Sequence, residues 1–366
     1  MLKNRRVHHA VDHIPDGAHL HRGNAPRIRG KGQHNRCRAR LAGLVLACAV
    51  AAILAFVSLG VGARSVPLAE VWRVLIHHDG SPGAVIVWQL RLPRTALAVM
   101  VGSALAVAGV VMQAITRNPL AEPGLVGVNA GASFAVVVSI SVFHITRITG
   151  YLYSSFVGAV LAAVLVHALT SRSGAAGQHT RLVLAGTALS ASLAACTGTL
   201  TMFDTQAFDS YRFWVVGSLE NRGTTALVAI APFIAVGALI ALVLGPAFNA
   251  LALGDEKGAA LGLRVARVRA AGFLAIMLLC GAATAAAGPI GFVGLVVPHV
   301  LRLMLGPDLR WLLAFAPPGG AALLLAGDIV GRVIAPPGEI EAGIVISFVG
   351  APVLLWLVAR RKAVHA

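Results

Sequence analysis

The chain has 366 residues, 57% of them hydrophobic and only 12% charged, with a mean hydropathy of +0.81. A soluble domain carries about 25% charged residues, so a soluble globular class is excluded. Several apolar runs near twenty residues point instead to an all-α polytopic membrane protein. A membrane β-barrel would read as alternating segments of about ten residues, and the sequence holds none.

In chain order, residues 1–40 form a basic tail with ten Lys/Arg against Asp12 and Asp16. Because the tail abuts an apolar span, its charge is read as a topological signal holding a disordered segment in the cytoplasm, not as a nucleic-acid surface. Its six histidines match no metal-site spacing, and no metal is expected. Apolar runs follow at about 41–62, 95–115, 125–144, 152–171, 182–203, 225–248, 270–288, 290–305, 311–331 and 342–359. These are ten candidate spans, making residues 41–366 one transmembrane domain. Loop charge favours the side of the tail. Arg117, Arg172, Lys257, Arg264, Arg302 and Arg310 fall on that side, and Arg64, Arg73 and Arg147 on the other. Both termini are therefore expected in the cytoplasm. Cys37, Cys48, Cys196 and Cys280 form no CxxC pair and read as small apolar residues, without disulfide or metal.

Two stretches inside the membrane region are irregular. RNPLAEPGLVGVNAGA contains Asn118, Pro119, Leu120, Pro123 and Gly124, and AAAGPIGFVGLVVPH contains Gly288, Pro289, Gly291, Phe292, Gly294, Pro298 and His299. Proline and glycine break helices, and broken backbone at membrane depth survives only where it is buried or lines a cavity. The stretches lie in opposite halves, behind spans of opposite direction, as in an inverted repeat around a pathway. Within the spans almost nothing is expected to ionise. Asp328 and Arg332, one helical turn apart, read as an ion pair near the outer end of span nine. His299 reads as a packed or hydrogen-bonded histidine. There is no HExxH, GxSxG or paired-carboxylate arrangement, so an enzyme is disfavoured, and no cofactor is implied. A single Asp beside an Arg is a poor relay for an ion-driven carrier. GxxxxGK[ST] is missing too, so any ATP motor is a separate subunit.

Two charged features protrude. VWQLRLPR places Arg91 and Arg94 at the outer mouth of span two, either anchoring headgroups or docking a partner with exposed carboxylates. On the inner side, LALGDEKGAALGLRVARVR (residues 251–269) is far longer than a plain connector. Gly254 would end the preceding span's extension and Asp255 would cap a short helix to about Leu261. Gly262 would stop it, and a second short helix would run from Leu263 to Arg269. The alternative is an amphipathic hairpin at the interface with no protein partner.

VWQLRLPR, GSALAVAGVVMQAITRNPLAEPGLVGVNAGA, LALGDEKGAALGL and GPIGFVGLVVPHVLRL, in this order from about Val87 to Trp356, resemble the permease subunits of bacterial ABC importers for iron–siderophore, haem and cobalamin. The resemblance implies a ten-helix permease in the bacterial inner membrane, paired with a second permease subunit. It also implies a cytoplasmic ABC ATPase and an extracytoplasmic substrate-binding lipoprotein as partners, membrane lipid around the spans, and no nucleic acid. The ATPase would meet the coupling loop 250–269 at Leu253, Gly254, Asp255, Glu256, Lys257, Gly258, Ala259, Leu261, Gly262 and Leu263. Arg91, Arg94 and Arg332 match positions that dock the binding protein in the cobalamin member, with Arg332 expected to point outward and Asp328 to steady it. RNPLA and FWVVGSLENRG resemble the siderophore members more than the cobalamin member. Ferric siderophore is therefore the expected substrate, with cobalamin or haem as alternatives and an ion-coupled carrier as the rival of another class.

Overall fold

A computed structural model describes residues 31–62, 65–77, 80–145, 148–171, 178–220, 222–336 and 338–365. Residues 42–366 form one compact unit and residues 1–41 a second. Most of the basic tail, and Arg64, Arg147 and Arg172 of the charge count, lie outside the described residues; residues 31–40 are the first turns of a helix.

Every regular element among the described residues is helical. Helix α1 spans Lys31–Gly60, and α2 (Leu68–Ile76) follows Pro67. Ser81 starts α3 (Pro82–Val85), its Oγ accepting from the Ala84 N–H at 3.2 Å. The chain then passes through one π-helical segment, Ile86–Arg91, into α4 (Leu92–Thr116). The widening has a local cause. Pro93 has no N–H and its ring crowds the preceding turn, and just before it the Leu92 N–H bonds five residues back to Val87 O.

The remaining helices are α5 (Val128–Ser141), α6 (Ile148–Ser171), α7 (Gln178–Phe203), α8 (Thr205–Val215), α9 (Gly223–Val243), α10 (Gly245–Leu251), α11 (Asp255–Ala260), α12 (Val265–Ala287), α13 (Val293–Leu305), α14 (Leu309–Ile334) and α15 (Ala342–His365). Among the described residues, seven helical segments are long and apolar enough to cross a membrane, and Val128–Ser141, Val293–Leu305 and Ala342–Trp356 are shorter apolar helices. Together they account for the ten expected spans. Span six ends earlier than expected: the chain breaks at Leu244, and Pro246 sits in the first turn of α10, where a missing N–H costs nothing.

Helix α4 is the centre of the unit, packed against α9, α12, α13 and α14. Small residues make this possible. A Cβ at Gly102 would strike the Gly320 carbonyl on α14, and one at Gly109 would strike the Gly294 carbonyl on α13. Without a hydrophobic drive between spans, such backbone approach supplies the packing energy. At about 1.5 Å per residue, the 25 residues of α4 carry the chain about 37 Å. Arg91 and Arg94 thus stand at one end and Arg117 at the other. Loop 250–269 meets Arg117, so α12, which starts there, runs antiparallel to α4. Each is followed by broken backbone and then a short helix, α5 or α13. The order occurs twice, in opposite directions.

Candidate functional site

The loop-bearing end is built around Asp255. Its carboxylate meets Arg269 at 3.0 Å, at the start of α12, and Arg117 at 3.4 Å, just past the end of α4. This corrects two expectations. Asp255 does not cap α11; it is the first helical residue, and Gly254 (φ +109°) precedes it without a side-chain cap. Nor is there a separate helix from Leu263 to Arg269, because α12 already begins at Val265. The reason is the two arginines, which draw the carboxylate away from its own backbone N–H groups. Gly262 turns the chain at φ +85° with open space around its Cα, so its need for glycine is conformational, not steric. The Leu263 N–H returns to Gly258 O at 3.1 Å, and Gly258 is buried. Outside this scaffold Leu253 and Leu261 are 58% and 65% exposed, beside exposed Glu256, Lys257 and Ala259. An apolar pair ringed by charges on a rigid ridge has the composition of a contact surface.

At the opposite end of α4, two arginines meet one buried acid, with a third arginine nearby. Asp328 accepts from Arg94 at 2.8 Å and pairs with Arg332, while Arg94 also reaches Glu339 at 2.6 Å. Arg332 turns inward, contrary to expectation. It is 4% exposed and donates to Ser58 O, Val61 O and Ser58 Oγ at 2.9–3.1 Å. Buried Arg91 donates to Leu59 O at 2.8 Å. The carbonyls at the frayed end of α1 lack helical partners, and the two guanidiniums supply them. These side chains line a cleft of about 450 Å³ with Arg222, Glu220 and Glu339.

Between the ends, the two irregular stretches meet. Asn118 Oδ1 accepts from the Leu120 N–H at 3.0 Å, turning the chain at Pro119. Glu122 Oε1 then accepts from the Phe292 N–H at 2.5 Å. Pro123 and Gly124 open a single 3₁₀ turn that leads into α5. On the other stretch, Gly288 (φ +77°) lies against Trp214 O, and Pro289 O approaches Gly217. Gly291 precedes Phe292, which takes a left-handed φ of +65°. Pro298 is buried inside α13, with His299 half-buried after it. Polar pairs tie the stretches to neighbouring helices: Gln113 Nε2 to Gly294 O at 3.3 Å, Arg302 to Gln113 Oε1 at 3.0 Å, and Thr284 to Asn129 at 3.1 Å. Glu122 adds a half-buried carboxylate between α4 and α5, outside the runs read as spans. Its signal was present in the sequence: a carboxylate between two breaks in a membrane segment is a candidate functional residue by default.

The chain as a whole matches a known group of proteins. Residues 50–360 fit the model of the FecCD transport family. The chain belongs to that family. It is 44% identical over 320 residues to the ferric enterobactin transport system permease protein FepD of Escherichia coli (strain K12), covering 87% of this chain and 94% of that protein. To the hemin transport system permease protein HmuU of Yersinia pestis it is 37% identical over 316 residues, covering 85% and 93%. A solved metal-chelate type ABC transporter in an inward-facing conformation superposes with a TM-score of 0.74 at 30% identity. It covers 88% of this chain and 99% of that one. The chain is thus a multi-pass membrane permease of the siderophore, haem and vitamin B12 importer type.

Proposed function

We propose that the chain moves a ferric siderophore across the inner membrane as one of two permease subunits, driven by a separate cytoplasmic ATPase and supplied by an extracytoplasmic binding protein. The observation that carries this reading is the exposed ridge Leu253–Leu263, braced by Asp255 at the far end of α4 from the arginine cleft. The ridge suits a partner that pushes on the membrane domain from the cytoplasm. The loop end and both termini then lie in the cytoplasm, and the cleft opens to the outside. Arg91, Arg94 and Arg332 line the cleft wall, so a binding protein would reach them with a carboxylate entering the cleft, not across a flat surface. The irregular stretches carry the pathway side of the subunit. Ferric siderophore is favoured by the identity to the enterobactin permease; haem and vitamin B12 are the competing cargoes.

The test is uptake of radio-iron-labelled ferric enterobactin into vesicles carrying the chain, its ATPase and its binding protein. Uptake should need ATP and persist with an uncoupler; uptake that follows the proton gradient without ATP overturns the reading, and uptake of haem or vitamin B12 alone reassigns the cargo. Within the same system, Gly262→Val forces a β-branched residue into a left-handed φ. It should abolish substrate-stimulated ATP hydrolysis while the spans stay folded. Normal stimulated hydrolysis in that variant would remove the loop from the contact.

A further inference from the structure

We propose that residues 117–122 act as a strap that carries movement of the 250–269 loop to the α12–α13 turn, with Arg117 and Glu122 as its two attachment points. The inference rests on the loop receiving the ATPase, as proposed above. At one end Arg117 holds Asp255, the residue that braces the loop. At the other, the Glu122 carboxylate holds the Phe292 N–H. Between them the strap is stiff: Pro119 fixes one torsion, and the Asn118 side chain and carbonyl accept from the Leu120 and Ala121 N–H groups at 3.0 and 3.1 Å. Only four residues lie between a charge at the loop and a hydrogen bond at membrane depth.

Backbone strain marks both attachments. Among the described residues, three non-glycine residues have positive φ: Arg117, His144 and Phe292. Two of the three are at the strap's two ends. Such conformations persist only where surrounding structure imposes them, and they gather at moving or functional sites. The strap also joins the two halves of the repeat. Glu122 follows α4, while Phe292 follows the antiparallel α12. A shift of the loop relative to α4 would therefore pull on the joint between the halves, where Gly109 and Gly294 already touch. Arg117 and Asp255 are 38% and 30% exposed, so the pair adds little stability. Its geometry, and not its energy, gives it a role, and this keeps the substitution from unfolding the protein.

The experiment measures transported iron per ATP hydrolysed, using ferric enterobactin and the reconstituted complex, for Arg117→Ala, Glu122→Ala, Glu122→Gln and the double alanine variant. Each alanine variant should keep its ATPase subunit and its hydrolysis rate but lose transport per ATP by about tenfold. Glu122→Gln keeps an oxygen acceptor for the Phe292 N–H and should restore coupling, which a purely structural loss of charge would not. The double variant should be no worse than the worse single variant, since both cuts sever one strap. Wild-type coupling in Arg117→Ala, loss of the ATPase subunit from it, or multiplied losses in the double variant each refute the strap. Absence of ATP-dependent uptake by the unaltered chain would instead refute the proposed function.

Discussion

Removing the Asp328 carboxylate should be the most damaging polar substitution in the membrane domain. The Asp328 side chain is 1% exposed and is shared by the side chains of Arg332, at 2%, and Arg94, at 11%. Losing one partner of a buried ion pair costs about 3–5 kcal/mol, because the surviving charge is left uncompensated. Two features moderate the value here. Arg332 keeps its bonds to Ser58 and Val61, and Arg94 keeps Glu339. Asp328→Asn retains one acceptor oxygen and should lie near the lower bound, about 3 kcal/mol, whereas Asp328→Ala should approach about 5 kcal/mol. Glu339→Gln is the control: its side chain is 21% exposed, and it should cost less than about 1 kcal/mol. Equilibrium unfolding in mixed detergent and dodecyl sulfate reads these differences directly. If Asp328→Ala stays within about 1 kcal/mol of the unaltered protein, the carboxylate does not hold this end together, and the assignment of a structural network fails.

The same assay reads two other sites. Gly109→Ala drives a Cβ into the Gly294 carbonyl and should cost about 1–3 kcal/mol as overpacking, while Gly198→Ala on α7, with nothing within 4 Å of its Cβ, should stabilise by up to about 1 kcal/mol; equal effects would mean that the α4–α13 approach is not tight. Burial raises the Glu341 carboxyl above its ordinary range, offset in part by a hydrogen bond from Ser218. The folded state therefore holds the proton more tightly than the unfolded chain, so this group's contribution declines as pH rises from the ordinary to the raised value. Glu341→Gln should then stabilise the protein relative to wild type above that window and lose its advantage below it; a pH-independent difference in melting temperature would contradict the burial argument.

The spans were legible because lipid demands long apolar runs, and nothing else in the chain resembles one. The irregular stretches were legible for the same reason: proline and glycine inside such runs interrupt a helix that lipid would otherwise keep whole. Gly254 and Gly262 marked the loop's turning points correctly, since each takes a positive φ that glycine alone adopts freely. Side-chain partners were another matter. Asp328 and Arg332 are four residues apart and could be paired on paper. Arg94 joins them from 234 positions away, and it is this third member, together with Ser58 and Val61, that turns Arg332 inward. Asp255 looked like a helix cap because its arginines, Arg117 and Arg269, come from two other helices. Glu122 and Phe292 are 170 positions apart. Local chemistry predicts what a residue can do, but tertiary distance decides with which partner.

The two charged ends of α4 differ in a way that bears on how the permease works. At the cleft end the acid is almost wholly buried and carries two guanidiniums; rearranging it means exposing or orphaning charge, at several kcal/mol. At the loop end Asp255 is 30% exposed and Arg117 is 38% exposed, a pair that adds little energy, with Arg269, at 13%, on its other side. If the loop receives a push, as proposed above, the Asp255–Arg117 contact moves with it and passes the displacement to the strap, while α1, α4 and α14 stay pinned beside the cleft. The displacement has to be absorbed between these ends, and the backbone there that departs from helix is the pair of irregular stretches joined by Glu122. Rigid ridge, pinned mouth and broken middle are one mechanical arrangement, set by where the chain buries its carboxylates.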